Sequence, residues 1–359
     1  MRFGVVIAPK IDDWGIFKYA EDLGYDVAWA CDSQMLWSDC YATLALAAAN
    51  TSRISLGPGV AAAGTRIAPV TAHSIASISK LAPGRTVLGI GTGHTSMRVM
   101  GQKPMKAKDF EEYVRVLRAL LSGEETEVSH AGRRGYTRFL NREHGFVDLA
   151  HPIPIIVGAN GPQALAIAGA VGDGLLTIGT TRPDDVQATL SAVRSGAAAA
   201  GRALPDGYPV TTMTNVVVLQ PGEPVTSDRV AALTDSWVGA ALHFAYEMWR
   251  IRQDDAMVPP PFHSFWAEYC SYVDSMETPL DRRHLQIHDG HATFLPPAER
   301  RFLTEDAIRA VTIIGSVEEI AEQVKAAESA GVTELAIQSP LATARDVMRD
   351  FAEKVRPCL

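Results

Sequence analysis

Residues 153–179 read IPIIVGANGPQALAIAGAVGDGLLTIG, and their three parts constrain the architecture more than any other segment. An apolar run (153–158) is followed by small residues, then by an alanine-rich run opened by Pro162 (162–170), then by a second apolar run (174–179). Short continuous apolar runs suit strands buried on both faces, which is the condition of a parallel sheet. Proline favours the first turn of a helix, where its missing N–H costs nothing. The segment therefore predicts a strand, a crossover helix and a second strand parallel to the first.

The same alternation extends in both directions. Strands are expected at 3–8, 27–32, 54–60 and 86–90 before this unit, and at 210–219 and 333–338 after it. Helices are expected at 15–23, 41–50, 70–81, 107–121, 184–200 and 317–330. Eight strands alternating with helices predict an α/β fold, a (β/α)8 TIM barrel, with residues 1–359 as a single domain. Insertions are expected after strands 4 and 7, at about 124–149 and 220–312, where the rhythm breaks. The first reads as a hairpin. The second, with a helix at 229–249 and an aromatic, proline-rich region at 258–272, reads as a cap over the barrel mouth. Within 54–60, Gly57, Pro58 and Gly59 interrupt the strand, and a proline in a central strand predicts a bulge or an irregular end.

Composition narrows the function. Net charge is −8 and no run of Lys or Arg stands out, so the electrostatic footprint of a nucleic-acid or anionic-membrane binder is missing. The expected partner is a small-molecule substrate, with no nucleic acid and no membrane, and the chain is expected to form a homo-oligomer, a dimer or a tetramer. Cys31, Cys40, Cys270 and Cys358 lack CxxC spacing and are read as free thiols. With no export pattern at the first residues, a cytoplasmic location is expected.

In a barrel of this type the chemistry sits just after each strand, at its C-terminal end. Asp32 ends the second run, where its carboxylate could meet a cofactor, fix another side chain, cap a helix or close an Asx-turn. The run LGPGVAAAGTR (56–66) supplies small residues that would let backbone approach a planar ring, although a tight turn needs them too. The loop GIGTGH (89–94) lacks the Lys of a Walker motif, and no GxGxxG follows the first strand. His94 is a candidate general acid or base, because histidine titrates near neutrality, or else a structural hydrogen-bonding group. Gly158, Ala159, Asn160 and Gly161 stand between a strand and a helix start, a ready anion site, and Gly179 and Thr180 add the neighbouring loop. His284, His288 and His291 are close in sequence, but without a complete ligand set no metal is expected; His288 and His291 are substrate-side candidates.

Taken in order, VAWACDS (27–33), RISLGPGVAAAGTRIAPV (53–70), APGRTVLGIGTGH (82–94) and VGANGPQALAIAGAVGDGLLTIG (157–179) resemble the bacterial-luciferase-like flavin-dependent oxidoreductases across nearly the whole chain. Thr65-Arg66…Pro69 and the GIGTGH loop are closer to the branch that uses coenzyme F-420, an 8-hydroxy-5-deazaflavin, and are similar to methylenetetrahydromethanopterin reductase. The resemblance implies hydride transfer between that cofactor and a small organic molecule. Its alternatives are an FMN-dependent monooxygenase and a non-catalytic flavin-binding protein. It places Asp32 near the cofactor ring, Gly59 and Val60 at a third-strand bulge that in the family often holds a non-prolyl cis peptide, and Thr92 and Gly93 at a second contact. Gly158, Ala159, Asn160, Gly161, Gly179 and Thr180 fall on the phosphate loops. His94 stands where the glucose-6-phosphate dehydrogenases of the branch carry a catalytic Glu, and Ser33 where they carry a His, so sugar chemistry is not expected.

Overall fold

Strand β1 (Arg2–Ile7) is buried over its last four residues, and β2 (Val27–Ala30) is buried throughout. They pair in parallel from Gly4 opposite Val27 to Ile7 opposite Ala30. The computed structural model describes residues 1–359. The expected strand at 54–60 is split: β3 (Ser55–Pro58) pairs with β2, and β4 (Ala61–Ala62) pairs with β5 (Leu88–Gly91). The cause is Pro58, which cannot donate to a ladder, and the chain turns through a cis peptide at Gly59–Val60.

Beyond β5 come the antiparallel hairpin β6 (Thr126–His130) and β7 (Arg133–Thr137), in the region where a hairpin is expected. The parallel strands resume with β8 (Ile155–Gly158), β9 (Gly174–Ile178), β10 (Val210–Val218), β11 (Thr312–Gly315) and β12 (Glu334–Gln338). The order is β3-β2-β1-β12-β10-β9-β8-β5-β4. The N–H of Leu56 donates to the Arg85 carbonyl at 2.8 Å, and that of Val87 to the Leu56 carbonyl at 3.0 Å. These bonds bring β3 against the entry to β5, so β3 and β4 act as one broken strand and the ring of strands is nearly closed. The fold is that of a TIM barrel.

The chain divides into two compact units: residues 1–213 with 326–336, and residues 214–325 with 337–359. The first holds the ring, filled by Val6, Val27, Trp29, Ile156, Leu176 and Met213. Its helices include Gly15–Asp22, Cys40–Asn50, Ala68–Leu81, Pro162–Val171 and Pro183–Ala199. The last two press together at glycines: a Cβ on Gly169 would lie 2.0 Å from the Val193 carbonyl oxygen. In the second unit the end of β10 pairs with β11, a strand that is not among the eight expected and begins where the expected 220–312 insertion ends. Its 25-residue helix Asp228–Arg252 is capped by Ser227. Tyr246, Phe262, Phe265, Tyr269 and Phe302 build the core there, with the Tyr269 and Phe302 rings edge-on at 5.2 Å. No helix is long and apolar enough to cross a membrane.

Candidate functional site

Pairing fixes where the strands of the first unit end. Ala30 stands opposite Pro58, Ala62 opposite Gly91, Ile90 opposite Val157, Gly158 opposite Leu176 and Met213 opposite Ile178. All these strands are parallel, so the residues after them share one edge. Asp32, Gly59–Val60, Thr92–His94, Gly158–Gly161 and Gly179–Thr180 are therefore brought together.

Asp32 is 4% exposed. Its Oδ2 accepts from Arg66 Nη1 at 2.6 Å and from the Ala62 N–H at 3.2 Å, and its Oδ1 accepts from Gln34 Nε2 at 2.7 Å. Arg66 also lies over the Tyr41 ring, 4.8 Å from its centroid. Burial works against the charge of Arg66, but the bond and charge of Asp32 outweigh it and hold the guanidinium above its usual pKa. Asp39, not Asp32, caps the helix Cys40–Asn50, accepting from the Ala42 N–H at 2.8 Å. Of the readings open for Asp32, fixing another side chain matches these bonds and capping does not. Gln34 gives its amide nitrogen to Asp32, while its Oε1 is buried without a hydrogen-bond partner. Beside them, burial and the Asp32 charge push the Cys31 thiol up to about 12, so it is protonated and inert.

The glycines near the break answer to the protein's own atoms. A Cβ on Gly57 would lie 1.9 Å from the Val87 carbonyl oxygen, and one on Gly59 would lie 2.6 Å from Trp29 Cβ. The branches of Val60 stand 2.9 Å from a Cβ on Gly91 and 3.1 Å from one on Gly158. At Gly59, what the missing side chain keeps clear is Trp29.

Gly93 sits at φ +80 and leads into the helix His94–Val99. The left-handed conformation explains the glycine. His94 is exposed at the first position of that helix rather than at a strand tip. The Thr92 carbonyl accepts from the Met105 N–H at 3.1 Å.

Asn160 spans the two neighbouring loops, donating from Nδ2 to the Ile178 carbonyl at 3.0 Å and accepting from the Ile178 N–H at 3.3 Å. Its amide is a staple. Ala159 is buried, and its N–H donates to the Leu176 carbonyl at 2.9 Å. The helix Pro162–Val171 starts without a side-chain cap and without an acidic residue in its first turn. Nothing lies within 4 Å of a Cβ placed on Gly161 or Gly179. Thr180 pairs its hydroxyl with that of Thr177 at 2.9 Å. The next helix, Pro183–Ala199, carries Asp184 and Asp185 in its first turn, which repel an anion. Of the two helix starts, the one after Gly161 is therefore the better suited to an anion.

His288 and His291 belong to the second unit, where they lie with His243. Burial first, then His288 and His243, push His291 down to about 3, so its ring is neutral at ordinary pH. Three participants leave no local signal in the sequence: Gln34, His243 and the partnership of Arg66 with Asp32. Arg66 was visible as part of Thr65-Arg66…Pro69, but 34 positions separate it from the acid, and no local pattern links them.

A nearly closed ring of parallel strands, with small-residue loops and an uncapped helix start at one edge, defines the class of TIM-barrel proteins that present a ligand site at their C-terminal strand ends. Within that class, the profile of the luciferase-like monooxygenase family matches residues 14–334, and the chain belongs to that family. It is similar to the 5,10-methylenetetrahydromethanopterin reductase of Methanolobus tindarius, with 33% identity over 209 residues, and the match spans 56% of this chain and 61% of that protein. Among solved structures it resembles the coenzyme F-420-dependent tetrahydromethanopterin reductase of Methanopyrus kandleri, at TM-score 0.67 and 22% identity over 99% of both chains. It also resembles the FMN-bound oxygenating constituent of 3,6-diketocamphane monooxygenase from Pseudomonas putida, at TM-score 0.62 and 16% identity over 99% of this chain and 98% of that one.

Proposed function

We propose that this chain is an oxidoreductase that uses reduced coenzyme F-420 to deliver a hydride to a carbon of a small organic substrate. The observation that carries this reading is the shared edge, where the fixed Asp32–Gln34 corner and the uncapped Gly161 helix start stand on one ring of strands. The residues fit the cofactor. The buried Oε1 of Gln34 lacks a donor, and a planar heterocycle carries N–H groups. The helix start after Gly161 has no side-chain cap, and a side chain at Gly161 would meet open space, which suits a phosphate. When bound, the deazaflavin supplies a two-electron hydride donor.

The protein's own work is then binding, orientation and one proton. Asp32 accepts three hydrogen bonds, so it is assigned to positioning Gln34, Arg66 and the Ala62 backbone. Val60 forms the surface of the break. Thr92 and Gly93 line the next strand end, and Gly158, Ala159, Gly161, Gly179 and Thr180 shape the phosphate loops that Asn160 ties together. His94 is assigned to give the proton that balances the hydride, to the substrate atom adjacent to the reduced carbon.

Support comes from relatives whose names specify methylenetetrahydromethanopterin reduction and coenzyme F-420. The FMN-bound neighbour favours a second reading, a monooxygenase using reduced FMN and oxygen. Separate titrations with the two cofactors distinguish them. Coenzyme F-420 is expected to bind at least about tenfold more tightly than FMN, a difference of about 1.4 kcal/mol. Its reduced form is expected to be reoxidised without oxygen when an imine, enone or ketone substrate is added. Tighter FMN binding with substrate-dependent oxygen uptake would overturn the proposal, and binding without turnover on a broad substrate panel would point to a storage protein.

A further inference from the structure

Three histidines of the second unit meet without any surface patch or cofactor loop to account for them. His243 comes from the helix Asp228–Arg252, His288 closes the short helix Arg283–Ile287, and His291 follows in the next turn. His243 is 2% exposed and His288 is 3% exposed. One ring nitrogen of each histidine lies within 4.8 Å of those of the other two. The His243 and His288 rings stand edge-on at 6.4 Å, and those of His288 and His291 at 5.4 Å.

Two of the rings are backed by carboxylates. His243 Nε2 is 2.7 Å from Glu299 Oε2, and His288 Nε2 is 3.1 Å from Glu247 Oε1. Ionised carboxylates only accept, so in each pair Nε2 carries the proton. The opposite nitrogen, Nδ1, is buried in both His243 and His288 and makes no hydrogen bond. If these rings are neutral, each Nδ1 is a lone pair with no donor. If they are protonated, each is an N–H with no acceptor. Both states leave two buried polar atoms unsatisfied, an arrangement that folded proteins avoid.

A cation between the rings removes the conflict. Metal-bound histidines characteristically give their second nitrogen to a carboxylate, which fixes tautomer and ring orientation. The two glutamates would also balance the charge of a divalent ion. We infer that His243, His288 and His291 form a three-histidine site for a divalent transition-metal ion, with Glu299 and Glu247 orienting the first two rings. Imidazole donors select zinc, cobalt, nickel or iron over magnesium or calcium. Tetrahedral binding at about 2.0–2.1 Å needs ring nitrogens roughly 3.3 Å apart, so the rings close by up to about 1.5 Å. The fourth position is left to water or an oxygen ligand. The site stands independently of the cofactor reading, because it uses no residue of the Asp32 edge.

The test uses the full chain, stripped with a chelator and titrated with cobalt(II) alone. One equivalent is expected to develop intense visible d–d bands, and one equivalent of zinc(II) to abolish them. His243→Gln and His288→Gln are expected to weaken binding by about 100-fold or more, and Glu247→Gln and Glu299→Gln by about 10- to 100-fold with the band shape retained. His284→Gln, on the same short helix but outside the cluster, is expected to leave affinity unchanged. Near-ultraviolet circular dichroism checks that each variant is folded. Should His243→Gln fail to fold, His291→Gln and Glu247→Gln decide the matter. Absence of the bands at one equivalent, or undiminished binding in the folded variants, overturns the inference.

Discussion

A carboxylate that accepts three hydrogen bonds is held in place before any ligand arrives, and Asp32 is such a group. Asp32→Asn leaves the half-buried Arg66 guanidinium with only the exposed Asp39 carboxylate, 3.5 Å away, and urea unfolding is expected to show a loss of about 1.5–3 kcal/mol. Cofactor affinity should fall with it, because Gln34 loses its anchor. Gly59→Ala is expected to cost about 1–3 kcal/mol through overpacking against Trp29, while the folded fraction binds cofactor with unchanged affinity. Loss of affinity at full stability would show instead that Gly59 faces the ligand. His94→Gln keeps polarity but cannot exchange a proton near neutral pH, so turnover is expected to fall about 10²-fold with little change in cofactor affinity. Wild-type turnover across the pH range would make His94 structural. Single residues were legible where a strand tip announced them, as with Asp32. Their partners were not, because Arg66, Gln34 and Ala62 reach Asp32 only through the fold.

At the scale of elements, the helix Pro162–Val171 was readable to within a residue, since Pro162 starts it and Gly172 ends it. The missing cap was readable as well, and it separates stability from function. Gly161 has φ −89 and open space for a side chain, so Gly161→Asp is sterically tolerated. The new carboxylate would cap the helix and add about 0.3 kcal/mol of stability, since glycine is itself a tolerated N-cap. It would also occupy the place proposed for the phosphate, so cofactor affinity is expected to fall at least about tenfold, a 1.4 kcal/mol effect. A rise in melting temperature with undiminished affinity would move the phosphate elsewhere. By contrast, β11 was lost in the sequence: Thr312–Gly315 has four residues directly after a helix, too few for a period to show. The broken strand at Gly59 was foreseen from Pro58, but the way its halves pair with β2 and β5 depends on contacts far apart in the chain.

On the scale of the whole molecule, the stability of the first unit is tied to pH through Glu21. Burial opposes its charge, yet the N–H groups of Arg53, Ile54 and Ser52, helped by Lys18, hold its pKa down at about 2 against 4.5 for a free side chain. A lowered folded pKa gives stability that is complete above the unfolded value. That stability fades as pH falls from about 4.5 towards 2, and it amounts to about 3 kcal/mol. Glu21→Gln is expected to unfold more easily at neutral pH and to converge on the parent protein as pH approaches the folded pKa. An equal gap at every pH would remove Glu21 from the acid response. The alternation of strands and helices made the barrel legible from composition and period alone. The histidine cluster was only half visible, since His243 lies 45 and 48 positions from His288 and His291. The packing of Val60 against Gly89, Gly91 and Gly158, three positions on two other strands, carries a last consequence for how this barrel can drift. A methyl group at Gly91 or Gly158 would lie 2.9 or 3.1 Å from a branch of Val60, so either change asks Val60 to shift and is easier once that side chain has been trimmed. Gly91→Ala and Gly158→Ala are therefore expected to cost less stability on a Val60→Ala background than on the parent protein.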